Sequence, residues 1–163
     1  MFKAIPYEGN RSSSFNTVLE QLKALIQGEP SAIANLANAS ALLNQFMNDI
    51  NWVGFYLYDG NELVLGPFQG LPACIRIPLN RGVCGTAASQ RRTFVVADVH
   101  AFPGHIACDG ASNSEIVVPI IKNGELYGVL DIDSPLKNRF DSEEQQFLEQ
   151  FVEILTAQLS SLG

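Results

Sequence analysis

The sequence has no apolar run approaching the roughly 20 residues that cross a bilayer, so no membrane span is expected anywhere in its 163 residues. Met1 to Asn10 lacks the basic stretch and apolar segment of a secretory signal, and the expected location is cytoplasmic. Positive charge is scarce: 10 Lys and Arg stand against 17 Asp and Glu, a formal net charge of -7. Arg81, Arg91 and Arg92 are the only notable basic clustering, too little for the basic face of a nucleic-acid binder. Cysteine is limited to Cys74, Cys84 and Cys108, and an odd number in a reducing compartment is no structural disulfide framework. No C-x-x-C occurs among them, which argues against zinc. Apolar burial and redox chemistry remain. Repeats, low-complexity tracts and linkers are absent too. With 47% hydrophobic and 17% charged residues, disorder is excluded, and the length suits one domain with a full core.

Helical periodicity opens the chain. Phe15, Val18, Leu19, Leu22, Leu25 and Ile26 form one stripe, with Ser12 to Ser14 as capping candidates and Gly28 as the stop. A second helix is expected from about Ser31, with Ile33, Leu36, Leu43, Phe46 and Met47 at similar spacing. Asn51 to Tyr58 alternates as a strand: Val53, Phe55 and Leu57 take one face, and Trp52, Gly54, Tyr56 and Tyr58 the other. Asp59-Gly60 turns into a second strand, Glu62 to Phe68. Short strands around Ile75 to Ile77 and Thr93 to Val96 flank a helix near Val83 to Gln90. A long loop from Val99 to Ser114 holds both histidines and Cys108, and loops of that length are often functional. Strands Glu115 to Ile121 and Glu125 to Asp133 follow. A last helix is opened by the capping box of Asp141 and Glu144, and its stripe is Phe147, Leu148, Phe151, Leu155 and Leu159. The order implies an α/β (α+β) fold, a central antiparallel sheet with helices on one face and a ligand pocket on the other.

The turn of the last hairpin decides which residues share a face. A two-residue Asn123-Gly124 loop sets Glu115 opposite Ile132; a three-residue Lys122-Asn123-Gly124 loop sets it opposite Asp131. The three-residue register gathers Ile116, Val118 and Ile120 with Leu126, Gly128, Leu130 and Ile132 on one apolar face. It leaves Glu115, Asp131 and Asp133 together on the other. That register is the expected one.

Clustered carboxylates repel unless something positive or protonatable lies between them. A solvated sheet face would explain the acids blandly, and no histidine in these strands completes a metal site. A substrate ammonium, or one carboxyl kept protonated as a donor, fits the trio better. Cys108 sits in Gly104-His105-Ile106-Ala107-Cys108-Asp109-Gly110. His105 could help hold a thiolate there, and the loop amides could cradle an anion. Most lone loop cysteines are incidental, and His100 and His105 read more simply as hydrogen-bonding residues than as metal ligands. Cys84 lies at a helix start, where the dipole favours a thiolate, although packing alone would also place it there. Cys74 follows Pro72 in a turn and is uninformative by itself. Trp52 and Tyr56, on the non-core face, form a second small core or wall a pocket for a compact apolar group.

Together these residues resemble the free methionine-R-sulfoxide reductases, which are built on a single GAF domain. The resemblance runs from Asn51-Trp52-Val53-Gly54-Phe55-Tyr56 to Leu130-Asp131-Ile132-Asp133-Ser134. Its most specific stretches are Phe102-Pro103-Gly104-His105-Ile106-Ala107-Cys108-Asp109 and Ser114-Glu115-Ile116-Val117-Val118-Pro119. Gly82-Val83-Cys84-Gly85-Thr86-Ala87 is a further block, in which Cys84 separates this family from other GAF domains. The resemblance implies that residues 1–163 are one GAF domain, without cofactor or metal, reducing free methionine-R-sulfoxide. Cys108 would attack the sulfoxide sulfur and become a sulfenic acid. Cys84 would resolve it as a disulfide, with Cys74 a secondary partner able to exchange, and thioredoxin would restore the thiols. Glu115, Asp131 and Asp133 would hold the substrate ammonium and the sulfoxide oxygen, with one carboxyl, from Glu115 or Asp133, giving the proton. Amides from Ile106 through Ala107 to Cys108 would bind the substrate carboxylate, and Trp52 with Tyr56 would pack the methyl end. The preference for the R epimer, and a homodimer, are likewise implied by family alone.

The alternative is a GAF module that senses a small molecule without turning it over. Consumption of thioredoxin-linked NADPH in the presence of methionine sulfoxide separates the two.

Overall fold

The structure, a computed structural model, describes residues 1–4, 6–7 and 9–160. Two helices come first, α1 (Arg11–Ile26) and α2 (Ala32–Phe46). Asn10, rather than Ser12 to Ser14, caps α1: its side chain accepts from the Ser13 amide, so the serines lie inside the helix. Gly28, at φ +74°, follows the C-cap residue Gln27 and ends α1 as expected. Ser31 caps α2 by accepting from Ala34. Ile33 does not belong to the buried stripe of α2; it is 69% exposed, and Leu36, Ala39, Leu42 and Leu43 are buried in the core.

A six-stranded antiparallel sheet follows. Its strands are β1 (Trp52–Tyr58), β2 (Glu62–Gly70), β3 (Arg76–Pro78), β4 (Phe94–Val96), β5 (Ser114–Lys122) and β6 (Glu125–Ser134), in the order β3-β2-β1-β6-β5-β4. Helix α3 (Gly82–Gln90) lies between β3 and β4, and α4 (Ser142–Gln158) closes the chain. Asp141 and Glu144 form the expected capping box of α4.

The sheet separates two apolar layers. On one side Val53, Phe55, Ile116, Val118, Ile120, Leu130 and Ile132 meet α1, α2 and α4. On the other, Trp52, Tyr56, Val117 and Val129 meet Val83, Cys84, Ala87 and Ala88 of α3. The helices are therefore not confined to one face, because α3 covers part of the second and leaves a cavity beside it.

The final hairpin corrects the expected register. Lys122 pairs with Glu125, so the turn is the two-residue Asn123-Gly124, with φ of +54° and +77°. The pairing then slips between Ile120 and Ile121: Ile121 faces Leu126, whereas Ile120 faces Gly128. Tyr127 is the extra residue of a β-bulge. The slip restores the faces that the apolar pattern demands. Ile116 pairs with Ile132 and Val118 with Leu130, while Glu115 falls opposite Asp133, not Asp131. Leu126 moves to the cavity-side layer and Tyr127 takes its place on the helix side.

Candidate active site

The cavity opens on the face that carries the carboxyls. β1 and β6 pair with Trp52 opposite Asp133 and Gly54 opposite Asp131, and β5 sets Glu115 beside Asp133. All three acids line the cavity together with Trp52, Tyr56 and Cys108. Glu115 is 7% exposed and Asp131 5%. Acids rarely lie so deep unless they are paired.

Burial pushes all three carboxyls up, Glu115 and Asp133 well above their ordinary range. For Glu115 and Asp133 the charge of Asp131 adds to the effect. Oδ1 of Asp131 is buried and has no hydrogen-bond partner among the described residues. A proton held on Glu115, shared with its two neighbours, or a cation between them, supplies the donor that is missing.

Cys84 projects from α3 into this group, its thiol 3.9 Å from Oε2 of Glu115. The helix start was expected to favour its thiolate. Burial and the carboxylates reverse that, and the Cys84 thiol is pushed well above its usual value. A helix N-terminus contributes about 0.3–1 kcal/mol, whereas full burial shifts a pKa by up to about 3–5 units. Sγ of Cys84 and one carboxylate oxygen each of Glu115 and Asp131 lie within 4.8 Å of one another, a spacing a divalent cation could also bridge. Sequence spacing did not show this, since the three residues come from three elements.

Cys108 lies in the loop before β5 and is disulfide-bonded to Cys74, with 5.3 Å between the α-carbons. Cys84, expected as the first partner of Cys108, is free and buried. Cys74 is held from below: the Tyr56 hydroxyl donates to its carbonyl at 2.9 Å, and the Trp52 indole donates to the Leu71 carbonyl at 3.2 Å. Trp52 stacks on Tyr56 and on Phe68, with centroids 5.8 and 5.1 Å apart. Gly70, at φ +142°, makes room for this: a Cβ there would stand 2.5 Å from Trp52 Cδ1.

The proposed anion cradle is narrower than expected. The Cys108 amide is engaged, donating to the Ile106 carbonyl at 3.1 Å. Ala107 is exposed and does not line the cavity, whereas Ile106 does and packs against Gly82. Burial lowers the pKa of His105 and the nearby His100 adds to this, so His105 offers the Cys108 thiolate no standing charge.

The sequence reading missed Arg81, Asp109 and Ser112, which line the cavity, and Asn51, which ties the loop to the sheet. The Asn51 side chain donates to Asp109 Oδ2 at 2.8 Å and to Ser112 at 3.1 Å, and its own amide donates to the Asp133 carbonyl at 2.9 Å. Arg81 stood in a quoted basic cluster but was assigned no role. Only its place as the residue before α3 could have signalled one.

The GAF domain model matches residues 10–159. The free methionine-R-sulfoxide reductase of Escherichia coli is 52% identical over 88% of this chain and 87% of its own. The reductase of the same name from Saccharomyces cerevisiae is 46% identical over 90% and 89%. The solved structure of fRMsr of Staphylococcus aureus in complex with substrate is 52% identical, with a TM-score of 0.86 over 96% of this chain and 100% of that one.

Proposed function

Because the chain belongs to the GAF-domain family and, within it, to the free methionine-R-sulfoxide reductases, we propose that the acidic cavity binds free methionine-R-sulfoxide through its ammonium. The protein reduces that substrate to methionine. One observation carries the assignment of the cavity: three carboxyls converge on it with an unsatisfied Asp131 oxygen, and Cys108 stands on its wall.

In this reading the ammonium lies between Asp131 and its neighbours, the cation that makes their burial affordable. Trp52 and Tyr56 pack the methylthio end. Arg81 and the Ile106 amide hold the carboxylate, in place of the wider cradle first expected. Cys108 attacks the sulfoxide sulfur, the oxygen passes to Cys108 as a sulfenic acid, and methionine leaves as the thioether. Glu115, whose burial favours its protonated form, gives the oxygen its proton, and Asp133 opposite it holds the same hydrogen-bond network.

A second thiol then displaces hydroxide from the sulfenic acid, and hydroxide leaves as water. Cys74 suits that step better than Cys84, since it is already bonded to Cys108 and the Cys84 thiol resists ionisation. Cys84 instead donates its hydrogen bond to Glu115 and fixes the acid. A thioredoxin-class dithiol restores the two thiols, as suits a cytoplasmic protein. Residues 1–163 act as one GAF domain, and a homodimer is the expected assembly.

The test is an assay of free methionine-R-sulfoxide with thioredoxin and its NADPH-dependent reductase. Stoichiometric methionine and NADPH consumption is expected; saturable binding with no consumption would leave the sensing module in its place.

A further inference from the structure

The two sulfurs of the disulfide occupy different surroundings. Cys108 lines the cavity and Cys74 does not. The cavity is a recess walled by Trp52, Tyr56, Ile106 and the three acids, a place for a small molecule and not for a protein loop. Beside Cys74 the chain does something packing does not require. Leu71 is 65% exposed and Ile75 67%, two of the few large apolar side chains exposed among the described residues. Both flank one cysteine, and residues 70–75 carry no charge.

This segment is held in place rather than loose. The Leu71 carbonyl accepts from Trp52, the Cys74 carbonyl from Tyr56, and the Ile75 carbonyl from the Leu65 amide at 2.8 Å. A fixed, uncharged, apolar rim around one sulfur of a disulfide suits contact with a second protein, and the disulfide states the chemistry that partner must have.

We propose that the protein dithiol that recycles the enzyme docks on Leu71 and Ile75 and attacks Sγ of Cys74, not Sγ of Cys108. This rests on the reading above that a dithiol protein is the reductant. The partner's thiolate bonds to Cys74 Sγ, and the Cys74–Cys108 bond breaks with its electron pair on Cys108. That thiolate is released beside the cavity, ready for the next sulfoxide. The partner's second thiol loses its proton to solvent and attacks its own first sulfur in the mixed disulfide. Cys74 leaves as a thiolate and takes up a proton. Two electrons pass from the partner, which becomes the disulfide, and the one proton its second thiol releases balances the one Cys74 takes up. The acids near Cys108 make it the poorer leaving group, and docking on the apolar rim beside Cys74 overrides that preference by presenting the partner's thiolate to the Cys74 sulfur.

The test traps the intermediate. Oxidised enzyme is mixed with a thioredoxin whose second active-site cysteine is Ser, quenched in acid at short times and mapped by peptides. A bond to the Cys74 peptide is expected; a bond to Cys108 or Cys84, or no mixed disulfide at all, overturns the proposal. A Leu71→Ser, Ile75→Ser double variant should raise the KM for thioredoxin about tenfold or more. Its KM for methionine sulfoxide and its turnover with dithiothreitol should not change. An equal loss with dithiothreitol would make the two residues merely structural and overturn the docking surface. Wild-type turnover with dithiothreitol alone isolates the proposed reaction: its absence would sink the reductase reading, whereas its presence without trapping at Cys74 sinks only this one.

Discussion

Glu115 carries the tension of this site in a single side chain. Its carboxyl is buried beside Asp131 and Asp133, so its folded pKa stands well above its unfolded one. The folded state then binds the proton more tightly than the unfolded chain does. Its contribution to stability is complete below the unfolded value of about 4.3 and is lost as pH rises through the raised folded value. Glu115→Gln keeps the shape, removes the ionisation and offers an amide donor to Asp131. We expect its Tm to exceed that of the wild type at about pH 8 by several degrees and at about pH 5 by much less. Methionine formation should fall at least tenfold. A Tm difference that does not change with pH would show that the folded pKa of Glu115 is not raised above its unfolded one. Cysteine variants separate the chemical steps. Cys108→Ser should give no methionine even in a single turnover without reductant. Cys74→Ser should still give one methionine per enzyme and then recycle poorly with thioredoxin. Full recycling by Cys74→Ser would return the resolving role to Cys84.

Elements differ in whether they serve the site or only the frame. The hairpin of β5 and β6 serves the site, because its bulge at Tyr127 sets Glu115 opposite Asp133. Helix α4 serves the frame. Its N-cap Asp141 accepts from the Glu144 amide at 2.9 Å and takes an ion pair from Arg11 of α1 at 2.6 Å. The cap is the larger part, since the ion pair is half exposed and exposed pairs contribute little. Asp141→Ala should therefore cost about 1 kcal/mol, which for this size lowers Tm by about 2–4 °C. The kcat for methionine sulfoxide should be unchanged. Thermal melts beside steady-state rates check both, and a matching fall in kcat would mean that α4 couples to the cavity.

The whole molecule is an acidic protein with an acidic cavity, and selectivity follows from that. In the proposed binding mode the buried trio takes the ammonium of the free amino acid, a charge that an acylated amine does not carry. Losing a charge-assisted hydrogen bond costs about 1.5–3 kcal/mol, and leaving carboxylates unpaired adds to it. A loss of about 3 kcal/mol is more than a hundredfold in kcat/KM. Free methionine-R-sulfoxide should therefore be reduced at least that much more efficiently than its N-acetyl derivative. Comparable values in a side-by-side assay would remove the ammonium from the acidic face.

Periodicity made the faces legible before any coordinates. Val53, Phe55, Ile116, Val118 and Ile132 announce the helix-side layer, and the acids of β5 and β6 fall on the other side by the alternation of a strand. That logic held despite the different turn, because a two-residue turn with a bulge and a three-residue turn place every residue beyond the bulge on the same face, and only Leu126 and Tyr127 exchange. Local pattern fixes which side a residue occupies, and not which residue stands opposite it. Contacts between distant loops lie beyond that pattern altogether. Cys74 and Cys108 are 34 residues apart in segments with no regular period, and Asn51 reaches Asp109 across 58 residues. Alternation put Glu115, Asp131 and Asp133 together; only the packing of α3 and the clamped loop decided that Cys84 would be buried among them and that Cys74 would meet Cys108.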